Sequence, residues 1–239
     1  MSEKVFILQT LMFFMPLKLT RNFALLYGIM LGDGCLSLYH ERMKVISITG
    51  NMNDDIPFFE IIIKPILKSL TSKDIPIKFR KVKKAIDFNF VNYRLFDFIH
   101  SFGFPVGKKG NKLFIPRIFY EKRMVKYVLQ GFFATDGSLV ITDNNGTLYP
   151  RVEANGIARD LLMEINKFLN SKGIKCNFYE SKRKHHFYPN SQQQYRLQVN
   201  GKDNLRRFIK IVGFVNSKQI EKLNKFMALG RVELPTSAL

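Results

Sequence analysis

The chain has no tryptophan, two cysteines and four histidines in 239 residues. Two thiols, Cys35 and Cys176, cannot build a disulfide framework, and with His40, His100, His185 and His186 they show no zinc-ligand spacing. Both read as buried free thiols of a protein kept inside the cell, in a microbial cytoplasm or nucleoid or in an organelle, and not secreted. Acidic residues are scarce as well: 19 Asp and Glu stand against 38 Lys and Arg, a formal net charge of +19. That imbalance excludes an acid-rich binding surface and implies a polyanionic partner, nucleic acid above all. No apolar run reaches the length that spans a bilayer, so a membrane partner is not expected. Phe6 to Leu17 is apolar, but with a single lysine before it and no small-residue cleavage site after it, it reads as a packing segment rather than a secretory signal.

What the chain does have is a large apolar fraction, 46% with 23 phenylalanines, enough to exclude disorder and to fill a proper core. It also has an internal repeat. Leu26-Tyr27-Gly28-Ile29-Met30-Leu31-Gly32-Asp33-Gly34 recurs loosely as Leu129-Gln130-Gly131-Phe132-Phe133-Ala134-Thr135-Asp136-Gly137, with Leu, Gly, Asp and Gly in register. Each copy ends an apolar helical run in Asp-Gly, so each reads as a helix whose last turn presents a carboxylate before glycine releases the chain. Small residues four apart (Gly28 and Gly32, Gly131 and Thr135) leave one face of each helix bare, so the two backbones are expected to pack closely and bring Asp33 and Asp136 together. Two carboxylates at adjoining helix C-termini suit a hard divalent cation, a nuclease-like arrangement.

The repeat extends beyond the motifs. Thr20 is the expected N-cap of the first helix, followed by a hairpin (Cys35 to Tyr39, Met43 to Thr49) and a helix capped by Asp54 or Asp55 and interrupted at Pro65. A second hairpin (Ile75 to Phe79, Ala85 to Val91) and a helix from Tyr93 to Phe102 complete the first unit. The second half repeats the order: Ser138 to Thr142 with Leu148 to Glu153, a helix from Ala158 to Ser171, Ile174 to Tyr179 with Gln194 to Val199, and a helix from Asp203. Both final helices close on Gly-Phe, at Gly103-Phe104 and Gly213-Phe214, and a lysine follows four residues after each Phe, Lys108 and Lys218. At equivalent positions across an approximate twofold axis, both lysines are candidates to approach the carboxylates and stabilise charge on a phosphate.

In these residues the chain resembles the LAGLIDADG homing endonucleases of the single-chain, two-motif type, over roughly Thr20 to Phe226. The resemblance implies an α+β fold of two pseudo-symmetric αββαββα subdomains, residues 20–110 and 111–230, flanked by an extension, 1–19, and a tail, 231–239. Motif helices would pair at the interface and two antiparallel sheets would form a saddle over double-stranded DNA. It implies further that Asp33 and Asp136 are catalytic and bind Mg2+, with Mn2+ or Ca2+ able to substitute for binding. The carbonyls of Gly32 and Thr135 would be additional metal contacts, and Lys108 and Lys218 the basic catalytic residues. The implied reaction is metal-assisted phosphodiester hydrolysis that leaves a staggered double-strand break, by a monomer encoded in a mobile intron. Where relatives carry a polar residue that positions water, this chain has Gly50 in one half and Ala154-Asn155 in the other, so Asn155 is the one candidate.

Strands facing a major groove should alternate core-facing apolar residues with DNA-facing polar ones. Lys44, Lys78, Arg80, Lys83 and Lys84 in the first half, and Arg151, Lys182, Arg183, Lys184, Gln192, Gln194, Arg196 and Gln198 in the second, are the expected DNA contacts. The alternative on the same scaffold is an intron RNA maturase or a non-cleaving DNA-binding regulator. Retention of both aspartates favours the enzyme, and an intron RNA partner is compatible with it.

Overall fold

The computed structural model describes residues 17–181 and 193–228, so the apolar segment before Leu17, the C-terminal tail and Lys182, Arg183, Lys184 and Gln192 lie outside the described residues. The first motif helix, α1 (Arg21–Asp33), starts where the Thr20 hydroxyl accepts from the Phe23 amide at 3.2 Å. It hands over directly to β1 (Gly34–Tyr39) and β2 (Met43–Asn51). The glycine at that junction is not in a left-handed conformation: Gly34 has φ −86° and ψ 157°. It is demanded by crowding, since a Cβ there would stand 2.4 Å from Met30 Cα, and one on Gly137 would stand 2.5 Å from the Phe133 carbonyl oxygen.

Helix α2 (Ile56–Phe58) runs through a π-helical turn (Phe59–Ile63) into α3 (Lys64–Thr71). Pro65 therefore neither ends nor sharply breaks the run; the wider turn just before it takes up the missing amide donor. β3 (Lys78–Arg80) is shorter and later than the expected Ile75 to Phe79, because Pro76 has no N–H to give to a ladder. β4 (Ala85–Val91) and α4 (Tyr93–Ser101), capped by the Asn92 side chain on the Leu95 amide at 2.9 Å, close the first unit. A short helix, α5 (Arg117–Glu121), precedes the second motif helix, α6 (Val125–Thr135), and the two are separated at Arg123, which has φ 56°. The second unit then follows as β5 (Gly137–Asn144), β6 (Thr147–Gly156), α7 (Arg159–Ser171), β7 (Cys176–Ser181), β8 (Gln194–Asn200), α8 (Lys202–Ile211) and α9 (Ser217–Ala228).

The two sheets have the same antiparallel order, β1-β2-β4-β3 and β5-β6-β8-β7. In each, one face carries the core: Leu36, Ile46, Ile48, Ile86 and Phe88 in the first, Leu139, Val152, Leu197 and Val199 in the second. Because side chains alternate, the register puts Ser47, Thr49, Lys78, Arg80, Asp87 and Asn89 on the opposite, open face of the first sheet. The open face of the second carries Arg151, Glu153, Asn155, Gln194, Arg196 and Gln198. No helix among the described residues is long and apolar enough to cross a membrane.

Helices α1 and α6 cross at their glycines as the repeat predicts. A Cβ on Gly28 would lie 1.9 Å from the Val128 carbonyl oxygen, and one on Gly131 would lie 2.2 Å from that of Leu25. Both obstructing atoms are helix backbone, which cannot yield without separating the pair. Alanine would gain about 1 kcal/mol in helix propensity but would meet an overpacking cost of about 1–3 kcal/mol or more, so the second effect wins. Thermal unfolding of Gly28→Ala or Gly131→Ala should therefore show a Tm several degrees lower, whereas Gly156→Ala, whose new Cβ has 3.7 Å of room, should melt like the parent. An unchanged Tm in both crossing variants would mean that the helices are not in backbone contact.

Candidate active site

The crossing fixes where the motif carboxylates lie. Asp33 is the last residue of α1 and Asp136 the residue that ends α6. A Cβ on Gly32 would stand 2.0 Å from Thr135 Oγ1 and 3.3 Å from the Asp136 carboxyl carbon, so the Asp136 side chain rests directly against the end of α1. Protein bulk, and for Asp33 also the charge of Asp136, keeps these groups protonated to unusual pH. Burial, then the charge of Asp136, pushes Asp33 up from the ordinary 3.8 to about 7, against the opposing pull of Lys109 and with a further push from Asp55. Burial likewise raises Asp136 to about 6, again opposed by Lys109. Asp33 keeps water access, while the protein massed on its other sides supplies the low-dielectric surroundings.

The basic group at the centre is Lys109, not Lys108. Lys108 is exposed, while Lys109, one residue on, donates from its ammonium to the carbonyls of Gly32, Leu31 (3.1 Å) and Met30 (3.4 Å). It sits at the negative end of the α1 dipole, where a cation is favoured, and burial lowers its pKa while both carboxylates raise it. The Gly32 carbonyl, expected as a metal contact, is thus engaged by this ammonium. Lys218 is also not directed at the carboxylate pair: its Nζ reaches back to the first half and pairs with Asp54 Oδ2 at 3.0 Å. At the end of α6 the place of the ammonium is taken by amides. The Gln219 side chain donates to the carbonyls of Phe133 (2.6 Å) and Gly137 (2.9 Å), and that of Asn216 donates to Ala134 (2.9 Å). Thr135 turns its hydroxyl onto its own helix, at the Phe132 carbonyl, 3.0 Å away.

A cleft of about 260 Å³ opens beside the pair, lined by Gly32, Lys109, Phe132, Asp136 and Asn155 among others. Asn155 therefore stands where the sequence placed a polar candidate, and its Oδ1 accepts from Arg196 Nε at 2.9 Å. In the first half, Gly50 leaves no room for a side chain, since a Cβ would fall 2.6 Å from the Phe59 ring. Asp55 adjoins it instead, accepting from the Asn51 amide at 2.8 Å, and adds a third carboxylate near Asp33 that the motif comparison did not single out.

Of the expected DNA contacts, Lys78, Arg80, Arg151, Gln194, Arg196 and Gln198 lie on the open sheet faces, and Lys83 and Lys84 on the exposed turn between β3 and β4. Lys44 does not. It pairs with Leu38 and shares the face of Ile46 and Ile48, so its ammonium turns to the helix layer, where it pairs with Asp97 and lies over the rings of Tyr93 and Phe96.

Hard oxygen donors are present for a divalent metal, the carboxylates of Asp33 and Asp136. Among the described residues there is no grouping of three or more His, Cys, Asp or Glu positioned to hold one. The donor set fits a hard divalent cation that keeps several ligands from water or a phosphate.

The raised pKa values have a consequence for stability. A carboxyl that holds its proton to higher pH when folded makes the folded state bind more protons, so stability is lost as pH rises from about 4 through the folded values of about 6 and 7. Replacing Asp33 or Asp136 by asparagine removes that ionisation. In metal-free buffer each variant should melt above the parent at about pH 8, with the difference shrinking toward pH 4. A lower Tm at every pH would instead make these aspartates helix-end caps.

Comparison with known proteins agrees with this geometry. The family described as the LAGLIDADG-like domain matches residues 124–213. No curated protein matches the chain by sequence. Among solved structures, the homing endonuclease I-DmoI in complex with DNA and Ca is 14% identical at a TM-score of 0.56, covering 86% of this chain and 97% of that one. The LAGLIDADG homing endonuclease I-LtrWI bound to target DNA is 11% identical at 0.56, covering 87% and 89%. The LAGLIDADG meganuclease I-AabMI bound to uncleaved DNA is 12% identical at 0.53, covering 89% and 93%. Residues 124–213 are therefore similar in sequence to the LAGLIDADG-like domain, and the chain shares the fold of these LAGLIDADG homing endonucleases over 86–89% of its length.

Proposed function

We propose that this chain is a site-specific DNA endonuclease of the homing type, which uses a divalent metal, Mg2+ by preference, to make a staggered double-strand break and is carried by a mobile intron. The observation that carries the reading is the pairing of Asp33 and Asp136 at the helix crossing, between two sheets whose open faces bear arginines, lysines and glutamines. A net charge of +19 supports a polyanionic substrate, and I-DmoI and I-LtrWI, which share the fold, were solved on DNA. The two units, residues 20–110 and 111–230, each take half of a long target, so that a single chain supplies both carboxylates.

The residues divide the work. Asp33 and Asp136 would hold the metal, and since burial keeps them partly protonated near neutral pH, they would have to release those protons to do so. A bound divalent ion supplies Lewis acidity and a more acidic water for phosphodiester hydrolysis. Lys109 keeps the end of α1 in place and sets one positive charge beside both carboxylates, where charge builds on the phosphate. Asn155, on the cleft wall, is placed to orient water.

The test is cleavage of a plasmid library carrying randomised or intron-insertion-site DNA, with magnesium or with EDTA. Linear product that requires magnesium and disappears in the Asp33→Asn/Asp136→Asn double variant is the expected result. Tight binding with no cutting at any site would leave a regulator or maturase on the same scaffold. Affinity for DNA should also fall steeply with salt, by on the order of 10³-fold or more between 50 and 200 mM if six or more phosphates are neutralised. A flat salt dependence would contradict binding through the basic sheet faces.

A further inference from the structure

Three arginines on the open sheet faces share an arrangement that net charge does not explain. Arg80 donates from Nη2 to Asp87 Oδ2 at 3.0 Å, and its Nε lies 2.6 Å from Oδ1 in an ion pair that does not have hydrogen-bond geometry. Arg151 places its Nε on Glu153 Oε2 at 2.9 Å, and the same oxygen accepts from Gln198 at 3.4 Å. Arg196 places its Nε on Asn155 Oδ1 at 2.9 Å. In each case a side-chain oxygen from the sheet lies against the Nε edge, hydrogen-bonded to Nε in Arg151 and Arg196 and to the adjoining Nη2 in Arg80. The remaining edge, with its parallel Nη donors, meets no acceptor beyond these partners among the described residues.

Two of the three holders are acids on a face otherwise suited to a polyanion, and Asp87 is wholly buried beneath an arginine that is half exposed. A carboxylate in such a place costs desolvation and weakens the general attraction for phosphate, so it is a poor device for backbone binding. It is a good device for aiming. A guanidinium fixed along one edge presents two parallel donors in one plane, which matches the two acceptors, O6 and N7, that guanine alone displays in the major groove. Adenine offers one acceptor beside a donor, so the same fork leaves a donor facing a donor.

We propose that Asp87, Glu153 and Asn155 are positioning residues that aim Arg80, Arg151 and Arg196 at guanines in the target, one in the half-site of the first unit and two in that of the second. This rests on the DNA-binding reading above. The acids lower affinity for arbitrary DNA while sharpening discrimination at the base pairs that the arginines meet.

Selection of bound sequences from a randomised duplex pool in EDTA, where cutting cannot interfere, reads the preference at every position. Arg80→Lys keeps the charge but not the fork, and Asp87→Ala frees the fork without removing it. Both should lose preference for guanine by about tenfold at one and the same base pair. Asp87→Ala should at the same time bind random DNA as tightly as the parent or more tightly. Glu153→Ala should act at a different base pair, in the other half-site. Thermal melting checks folding, and if Asp87→Ala does not fold, Arg80→Lys and Glu153→Ala decide alone. An unaltered guanine preference, a uniform loss across all sequences, or changes at different base pairs in Arg80→Lys and Asp87→Ala would overturn the proposal. A parent chain that retains no duplex would overturn the DNA-binding reading itself, which separates the two failures.

Discussion

Everything in this molecule that bears on chemistry depends on the backbone contact between α1 and α6. Gly28 faces the Val128 carbonyl and Gly131 faces that of Leu25, at distances that leave no space for even one methyl group. The contact joins the two units through their motif helices. It also determines electrostatics, because helices that close together must end close together. Asp33 and Asp136 are held near each other by packing that neither carboxylate can relax, and burial there raises both pKa values, with the charge of Asp136 adding to the rise at Asp33. Hydrophobic burial along the crossing, including Phe23, Leu26, Ile29, Leu129 and Phe132, offsets that repulsion.

The two halves are symmetric in backbone and asymmetric in charge. Sheet order is identical, yet the end of α1 is held by an ammonium and the end of α6 by two amides. Counted from the Gly-Phe pairs, Lys109 and Gln219 occupy the same position, so the repeat conserves the act of donating to helix-end carbonyls while changing the charge that does it. Asp54 and Lys218 tie the halves together a second time, from the loop after β2 to the start of α9. Near-equivalent backbones thus give a centre with one positive charge for two carboxylates.

Much of this was legible in the sequence. The paired motifs, the bare glycine faces and the order of helices and hairpins follow from local patterns that tertiary contacts reinforce, and the alternation Gln194, Arg196, Gln198 gave the open face of β8 directly. The misses share a cause. Lys108 stood out because a lysine recurs at its counterpart, Lys218, but identity between halves is not the property that matters. A donor at the helix end is, and Lys109 and Gln219 meet it with different residues. Lys44 was misplaced because a strand's parity cannot be fixed from a polar residue near its end; pairing with Leu38 put it on the helix side. Asp55 acts on Asp33 only through the fold, across a separation in sequence that no spacing rule covers.

The proposed chemistry closes the electrostatic argument. A scissile phosphate entering beside Asp33 and Asp136 adds negative charge where two carboxylates already repel, and Lys109 alone does not balance them. Asp33 and Asp136 would share a divalent cation that offsets both repulsions, in which case metal and DNA would each raise the other's affinity by the same factor. Protons compete for the same carboxylates, and with folded values near 6 and 7 they are displaced most readily at the alkaline side of neutrality. In that reading the unfavourable electrostatics at the helix ends are functional: the site is least stable when empty and ionised, and would be most stable with cation and phosphate together.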